Sequence, residues 1–357
     1  MNSGEYLFPR KMTRRDFIHA SGGVMLGAAF ASSATAAADA QSPVKLGTGK
    51  STYTLDDGFG KLPEGMKYGF GCAIVVDSQD RIYVTSRSTS PCVAVFDKDG
   101  KLLETWSKEF ADNIGYTTDK VAATAHGLYW SKEPTGEFFY FTENAPGNRV
   151  YKTDLKGKVL YELGAVAKES ATAQKFSFTN PTDVAVGPNG DIYVVDGYGS
   201  QLVHRFDKHF KLIKTMGGPG KEHGKFNTCH GIWVSTLKSD PEIYIADRAN
   251  ARLEVFSMEL EYKRTVPDMR NPCCLYQHDG HLYIPDLAAR VTVIDAHDKV
   301  VAQLGDGLEA RNKKEDIVAK HPDKFAFPHA LTLDSKGDLY VVEWVPNGRA
   351  RKLKKNA

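Results

Sequence analysis

The stretch PTDVAVGPNGDIYVVDGYG, residues 181–199, decides the architecture. A short apolar segment, DVAV, enters a G-P-N-G-D turn, and a second, IYVV, runs back to a D-G break. Two β-rich segments joined by a Gly-bearing turn read as an antiparallel hairpin. The phrase returns as AIVVDSQDRIYVTSR (73–87), HGLYWSKEPTGEFFYFTEN (126–144), HGIWVSTLKSDPEIYIADR (230–248), CCLYQHDGHLYIPD (273–286) and HALTLDSKGDLYVVEW (329–344). Most copies continue into a third strand, a turn of D-x-x-G-K type and a fourth strand, as in VAVFDKDGKLLETW and RVYKTDLKGKVLYEL. Starts near 73, 126, 181, 230, 273 and 329 recur about every 50 residues, the size of a propeller blade. The fold class that follows is all-β: a six-bladed β-propeller of four-stranded antiparallel blades over residues 41–357. The last copy runs out after its third strand, and STYTL (51–55) is expected to supply the missing outer strand and close the ring. The one stretch of helical character is LEARNKKEDIVAK, 308–320.

Three copies place a histidine at the mouth of the first strand: His126 in AHGLYW, His230 in CHGIWV and His329 in PHALTLD. They fall in copies two, four and six, separated by 104 and 99 residues. The first strand of each blade lines the central channel, and alternate blades of a six-fold ring lie roughly 120° apart. The three imidazoles are therefore expected to converge on the axis. One histidine at a strand start is ordinarily a hydrogen-bonded core residue; three, in register and in alternate repeats, point to a metal. Three neutral imidazoles with an open fourth position are the ligand set of a catalytic zinc ion. The other copies put Ala73 or Ile74, Asp183, and Cys273 or Cys274 near this level. The remaining histidines (His204, His209, His223, His278, His281, His297 and His321) are expected in turns or outer strands, in solvent.

The ends of second strands open on the same face as the starts of first strands. VTSR ends in Arg87, VVDGYG carries Tyr198 and IADR ends in Arg248, so a tyrosine and two arginines should ring the metal. The plainer alternatives are a salt bridge from Arg248 to Asp247 or Glu254, and packing for Tyr198. Asp183 is expected to point into the channel, where it can orient a ligand or make a structural hydrogen bond.

Lys and Arg number 46 against 44 Asp and Glu, a net charge of +2, which argues against a nucleic-acid partner. A monomer acting on a small-molecule or peptide substrate is expected. TRRDFIH (Thr13–His19) resembles a twin-arginine export signal; a mild apolar stretch and Ala-x-Ala sites ending at Ala36 or Ala40 follow it. Residues 1–40 are therefore read as a signal peptide, with the mature chain periplasmic or secreted and no later segment able to span a membrane. That route carries folded proteins, often with cofactor loaded, which suits a metalloprotein. Five cysteines (Cys72, Cys92, Cys229, Cys273 and Cys274) match no zinc ribbon or redox motif and read mainly as buried thiols, with a Cys72–Cys92 bridge open.

Taken together, these residues resemble the peptidyl-α-hydroxyglycine α-amidating lyases, zinc-bearing six-bladed propellers of NHL type. The resemblance covers most of the mature chain and is densest over 178–256. It implies that His126, His230 and His329 bind zinc, that Tyr198 is the catalytic base, and that Arg87 and Arg248 are the family's arginines. It also implies a structural calcium held partly by the main-chain carbonyls of Ile74 and Leu128. The chain departs from the family pattern at Ala330, where a calcium-binding aspartate stands, at Phe327 in place of a methionine, and at Gly199 in place of a disulfide cysteine of animal members. The implied reaction splits the C–N bond of a peptidyl- or N-acyl-α-hydroxyglycine into an amide and glyoxylate. For that, Tyr198 needs its pKa depressed by the metal or by Arg248. Another zinc-dependent lyase or hydrolase on the same scaffold, and a non-enzymatic NHL-type peptide- or protein-binding propeller, are the alternatives.

Overall fold

The hairpin turns close on aspartate side chains. Asp77 Oδ1 accepts from the backbone N–H groups of Gln79 at 2.9 Å and Arg81 at 3.0 Å. Asp97, Asp154, Asp207, Asp295 and Asp334 make the same pair of contacts two and four residues on. The residue three after the aspartate is left-handed: Gly100, Gly157 and Gly337 at φ 87°, 83° and 81°. Glycine is unstrained there. In the other copies Asp80, Phe210 and Asp298 take the same conformation at φ 56°, 63° and 63°. The aspartate, bonded on both sides of the bend, holds them in it.

The computed structural model describes residues 43–116, 125–164 and 173–356. Six antiparallel sheets follow in chain order. Blade one is Gly71–Val76, Ile82–Ser86, Val93–Phe96 and Leu102–Trp106. Blade two is Gly127–Glu133, Gly136–Glu143, Arg149–Thr153 and Val159–Gly164, with Ala173–Lys175 added in parallel. Blade three is Asp183–Val186, Ile192–Val195, Leu202–Phe206 and Leu212–Gly217. Blade four is Cys229–Ser235, Glu242–Asp247, Arg252–Ser257 and Tyr262–Val266. Blade five is Tyr276–His278, His281–Asp286, Arg290–Asp295 and Val300–Leu304. Blade six is Pro328–Leu333, Leu339–Glu343 and Arg349–Lys355.

Ser51–Asp56 closes blade six, pairing antiparallel with its third strand so that Tyr53 lies opposite Lys355 and Leu55 opposite Leu353. This is the closure expected of STYTL. Lys45–Thr48 adds a fifth strand, so two of the six sheets carry one more strand than the four expected. The helical stretch at 308–320 is two short helices, Leu308–Asn312 and Ile317–Lys320, because the intervening K-K-E-D run includes left-handed Lys314 at φ 58°. The leader expected over 1–40 lies outside the described residues.

Apolar cores form between blades. Val75, Tyr83, Val95 and Trp106 of blade one pack on Phe139, Phe141 and Tyr151 of blade two, with Tyr83 and Phe139 ring centroids 4.6 Å apart. Each fully buried side chain of this kind contributes on the order of 1.5–3 kcal/mol, so the blades hold one another at fixed rotation about the axis. His204 corrects the expectation of a solvated side chain. It sits on the third strand of blade three, where the core between blades two and three buries it against Phe176 and Phe178, its Nδ1 3.0 Å from Thr215 Oγ1. The five cysteines are unbridged, four of them buried. Among the described residues no helix is long and apolar enough to cross a membrane.

Candidate metal centre

Where the first strands begin, even-numbered blades supply imidazoles and the following odd-numbered blades supply carbonyls. Nδ1 of His126, His230 and His329 lies 2.7, 2.9 and 2.6 Å from the carbonyl oxygens of Thr182, Cys273 and Cys72. A carbonyl only accepts, so Nδ1 carries the proton and Nε2 presents a bare lone pair. The residues level with the histidines are thus Cys72, Thr182 and Cys273. Ala73, Ile74 and Asp183 lie just past this level, along the first strands of blades one and three. In blade one the offset has a local cause: strand pairing slips by a residue there, as it does beside the histidines of blades four and six. The glycine of the H-G phrase has a reason here too. A Cβ on Gly231 would lie 2.2 Å from Cys273 O, the carbonyl that holds His230.

The three rings converge. Their centroids are 4.8, 5.1 and 4.9 Å apart, and their ligating nitrogens all lie within 4.8 Å of one another. All three are buried, at 2%, 0% and 1% exposure. Tyr198 Oη lies 3.2 Å from His126 Nε2 and 3.0 Å from His230 Nε2, and accepts from Arg248 Nη1 at 3.2 Å. A phenol has one proton, so it satisfies one imidazole at a time. His329 Nε2 is buried with no hydrogen-bond partner. Three converging lone pairs share one proton, and an unsatisfied buried acceptor costs about 1–3 kcal/mol. A cation answers that deficit, so the donor set fits a metal ion of the kind imidazoles bind. Burial pulls all three imidazole pKa values down, His126 and His230 well below the usual value and His329 to about 3. They are neutral at neutral pH, the form that ligates metal.

One backbone contact sets the register of the mouth. The N–H groups of Arg87, Tyr198, Arg248, Leu287 and Trp344 donate to the carbonyls of Phe70, Asn180, Thr228, Asn271 and Phe327 at 2.8, 3.2, 3.0, 3.0 and 2.8 Å. Each donor follows the end of a second strand, so these five residues are equivalents. Asn144, next after Glu143, is the blade-two member. The structure brings Arg87, Tyr198 and Arg248 to one mouth, as expected. Arg248 pairs with neither Asp247 nor Glu254, both of which bind Arg252; its guanidinium lies 5.2 Å from the Tyr198 ring. Arg87 donates to Asn144 Oδ1, and Asn144 Nδ2 donates to Pro181 O at 2.7 Å. Arg87 also lies 5.7 Å from the Trp344 ring, which stacks on His329 at 5.2 Å. Sequence reasoning missed Asn144 and Trp344. The signal that finds them is their position, one residue past the strand-end Glu143 and Glu343, as Arg248 is past Asp247.

The D-G-Y phrase needs its glycine: a Cβ on Gly197 would lie 1.8 Å from Cys229 O. That close approach swings Tyr198 over the histidines, while Asp196 ties down the loop by accepting from the backbone N–H groups of Thr179 at 2.8 Å and Asn180 at 2.5 Å. The pKa of Tyr198 is set by opposing influences. Burial raises it above the ordinary value, and Arg248 and Arg87 pull it back only part of the way.

Beyond the histidines the channel widens into a cavity of about 600 Å³ lined in part by Ile74, Leu128, Asp183 and Ala330. Asp183 Oδ2 accepts from Ile232 N at 3.1 Å, and burial raises its pKa to about 7. It tethers blade three to blade four and touches no histidine. Calcium takes six to eight oxygens. Ala330, beside Ile74 and Leu128, offers that ion no side-chain oxygen.

Residues 178–206 match the NHL repeat model. The chain carries an NHL repeat. NHL repeat-containing protein 3 of Homo sapiens is 29% identical over 218 residues, 59% of this chain and 58% of that protein, so the chain spans less than two thirds of that relative's length. A probable peptidyl-alpha-hydroxyglycine alpha-amidating lyase of Caenorhabditis elegans is 27% identical over 268 residues, 71% of this chain and 68% of that protein. Among solved structures, a streptogramin B lyase superposes with TM-score 0.54 at 16% identity, over 85% of this chain and 98% of its own. The virginiamycin B lyase of Staphylococcus aureus superposes with TM-score 0.53 at 11% identity, over 81% and 97%. At such identities these two speak for the shared propeller fold alone.

Proposed function

We propose that this NHL-repeat propeller is a zinc-dependent carbon–nitrogen lyase of the peptidyl-α-hydroxyglycine α-amidating lyase family. Its substrate in this reading is a peptidyl- or N-acyl-α-hydroxyglycine, split into an amide and glyoxylate. The observation that carries the reading is the convergence of three bare, buried Nε2 lone pairs beside Tyr198 and Arg248. The name of the Caenorhabditis elegans relative supports the reaction class.

Zinc held by His126, His230 and His329 supplies Lewis-acid polarisation of the substrate hydroxyl. Arg87 and Arg248 hold the carboxylate, a task suited to planar two-pronged guanidinium groups. Tyr198 takes the hydroxyl proton and delivers a proton to the departing amide nitrogen as the C–N bond breaks and the C=O of glyoxylate forms. The phenol ends as it began. The same proposal has the protein exported by the twin-arginine route to the periplasm or beyond, with its metal loaded first.

Purified protein loaded with zinc is to be given α-hydroxyhippurate while glyoxylate and benzamide are followed. Metal-dependent release, lost in His230→Ala, is the expected result; zinc-loaded protein that releases none refutes the reaction. The likeness to NHL repeat-containing protein 3 favours a second reading, a peptide- or protein-binding propeller. That reading predicts protein without stoichiometric metal, which elemental analysis decides.

A further inference from the structure

The mouth above the histidines has two chemical sides. Blades one to four present Arg87, Asn144, Tyr198 and Arg248. Blade six and the segment entering blade one present Trp344 and Phe70, both partly exposed, while Phe327 packs against Ala310, Ile317, Ala326 and Val345. Phe70 and Phe327 are equivalent positions, since their carbonyls accept from Arg87 N and Trp344 N. The Trp344 ring lies nearly parallel to Phe70, at 5.0 Å and 27°, and to His329, at 5.2 Å and 28°. The aromatic arc therefore runs up to a proposed metal ligand. Arg311 lies over Phe327 at 4.3 Å and donates to the Leu287 carbonyl at 2.5 Å.

The acids beneath this arc are turned to other work. Glu343 binds Arg349 and the N–H groups of Ala326 and Phe327. Asp286 accepts from the N–H groups of Arg270, Asn271 and Ala288. An anionic substrate is thus drawn to the Arg87–Arg248 side, and its uncharged end faces the Trp344–Phe70 pair. The two sides meet where the Arg87 guanidinium lies 5.7 Å from Trp344.

We infer that Trp344 and Phe70 form an apolar subsite for the acyl group of the substrate, so that aromatic and branched acyl groups are preferred to acetyl. The inference rests on the lyase reading for the identity of the substrate, but the subsite can be tested without turnover. Zinc-loaded protein is to be titrated calorimetrically with N-benzoylglycine and N-acetylglycine, which carry the carboxylate and acyl group but no hydroxyl. Partial burial of one phenyl ring predicts about tenfold tighter binding of the benzoyl compound. In Trp344→Ala that preference should fall to about twofold or less. Phe70→Ala, which touches no histidine, serves as the second variant and should lose part of the preference while keeping full zinc content. Equal binding of the two compounds by the wild-type protein overturns the inference. So does a preference that survives in both variants with zinc retained. Absence of glyoxylate release alongside an intact benzoyl preference counts against the lyase reading and leaves the subsite standing. Turnover of N-acetyl- and N-benzoyl-α-hydroxyglycine with equal kcat/KM sinks the subsite and leaves the lyase.

Discussion

His329 offers the sharpest perturbation, because its two nitrogens do separable things. Nδ1 donates to Cys72 O at 2.6 Å, and Nε2 is the buried acceptor without a partner. An asparagine places an amide N–H near the position of Nδ1 and has nothing at Nε2. His329→Asn should therefore keep the strand-to-strand tether and lose the ligand, whereas His329→Ala loses both. A metal that binds only the folded state, present at 100 times its Kd, stabilises by about 2.7 kcal/mol. Roughly 300 folded residues at about 2.1 cal/mol/K each give an unfolding entropy near 0.6 kcal/mol/K. Zinc should then raise the wild-type Tm by roughly 4 °C. In His329→Asn the rise should vanish, with the metal-free Tm within about 2 °C of wild type. In His329→Ala the metal-free protein should itself drop by about 2–4 kcal/mol, or roughly 3–6 °C, from the lost hydrogen bond and the cavity. Differential scanning calorimetry with and without zinc, paired with elemental analysis, reads all three proteins. A His329→Asn protein that keeps the full zinc-dependent rise would refute the three-imidazole site.

Tyr198→Phe should keep one zinc per chain and lose turnover by about 10²–10⁴-fold, the usual contribution of a positioned proton carrier; steady-state glyoxylate release measures it. Arg87→Lys keeps the charge and loses the planar fork, so KM for the carboxylate substrate should rise at least about tenfold with a smaller change in kcat. Asp183 has a folded pKa raised from 3.8 to about 7, so the folded state holds a proton that the unfolded chain releases. The Asp183 contribution to stability is then fully present below about pH 4 and is lost as pH rises toward 7, by at most roughly 4 kcal/mol. Asp183→Asn keeps an oxygen for Ile232 N and should flatten that decline in urea unfolding at pH 4.5 and 7.5. Gly231→Ala puts a Cβ 2.2 Å from Cys273 O and should unfold the protein more readily or displace His230, which thermal melts and zinc content report.

The blades and the histidines were legible in the chain because both repeat. A hairpin phrase returning about every 50 residues leaves little choice of topology, and register across copies put His126, His230 and His329 together without any local motif. Arg87 and Arg248 were legible by the same reasoning. Trp344 and Asn144 were not, although they hold the same place, since nothing in their chemistry marks them until neighbouring blades are counted against one another. His204 was misread because both faces of its strand pack on neighbouring blades, Val203 on one side and Phe206 on the other, so neither face is left to solvent.

Sequence by itself determined the period, the turn chemistry and the three imidazoles, since each depends on residues close together in the chain or on a count between copies. Only the tertiary structure decided what surrounds them. Which carbonyl faces each Nδ1 depends on how neighbouring blades meet, as where His329 contacts Cys72, 257 positions apart. The upward pKa of Tyr198 and the split of the mouth into charged and apolar sides arise from burial and from blade-to-blade packing. Those are properties of the closed ring, which no single segment contains.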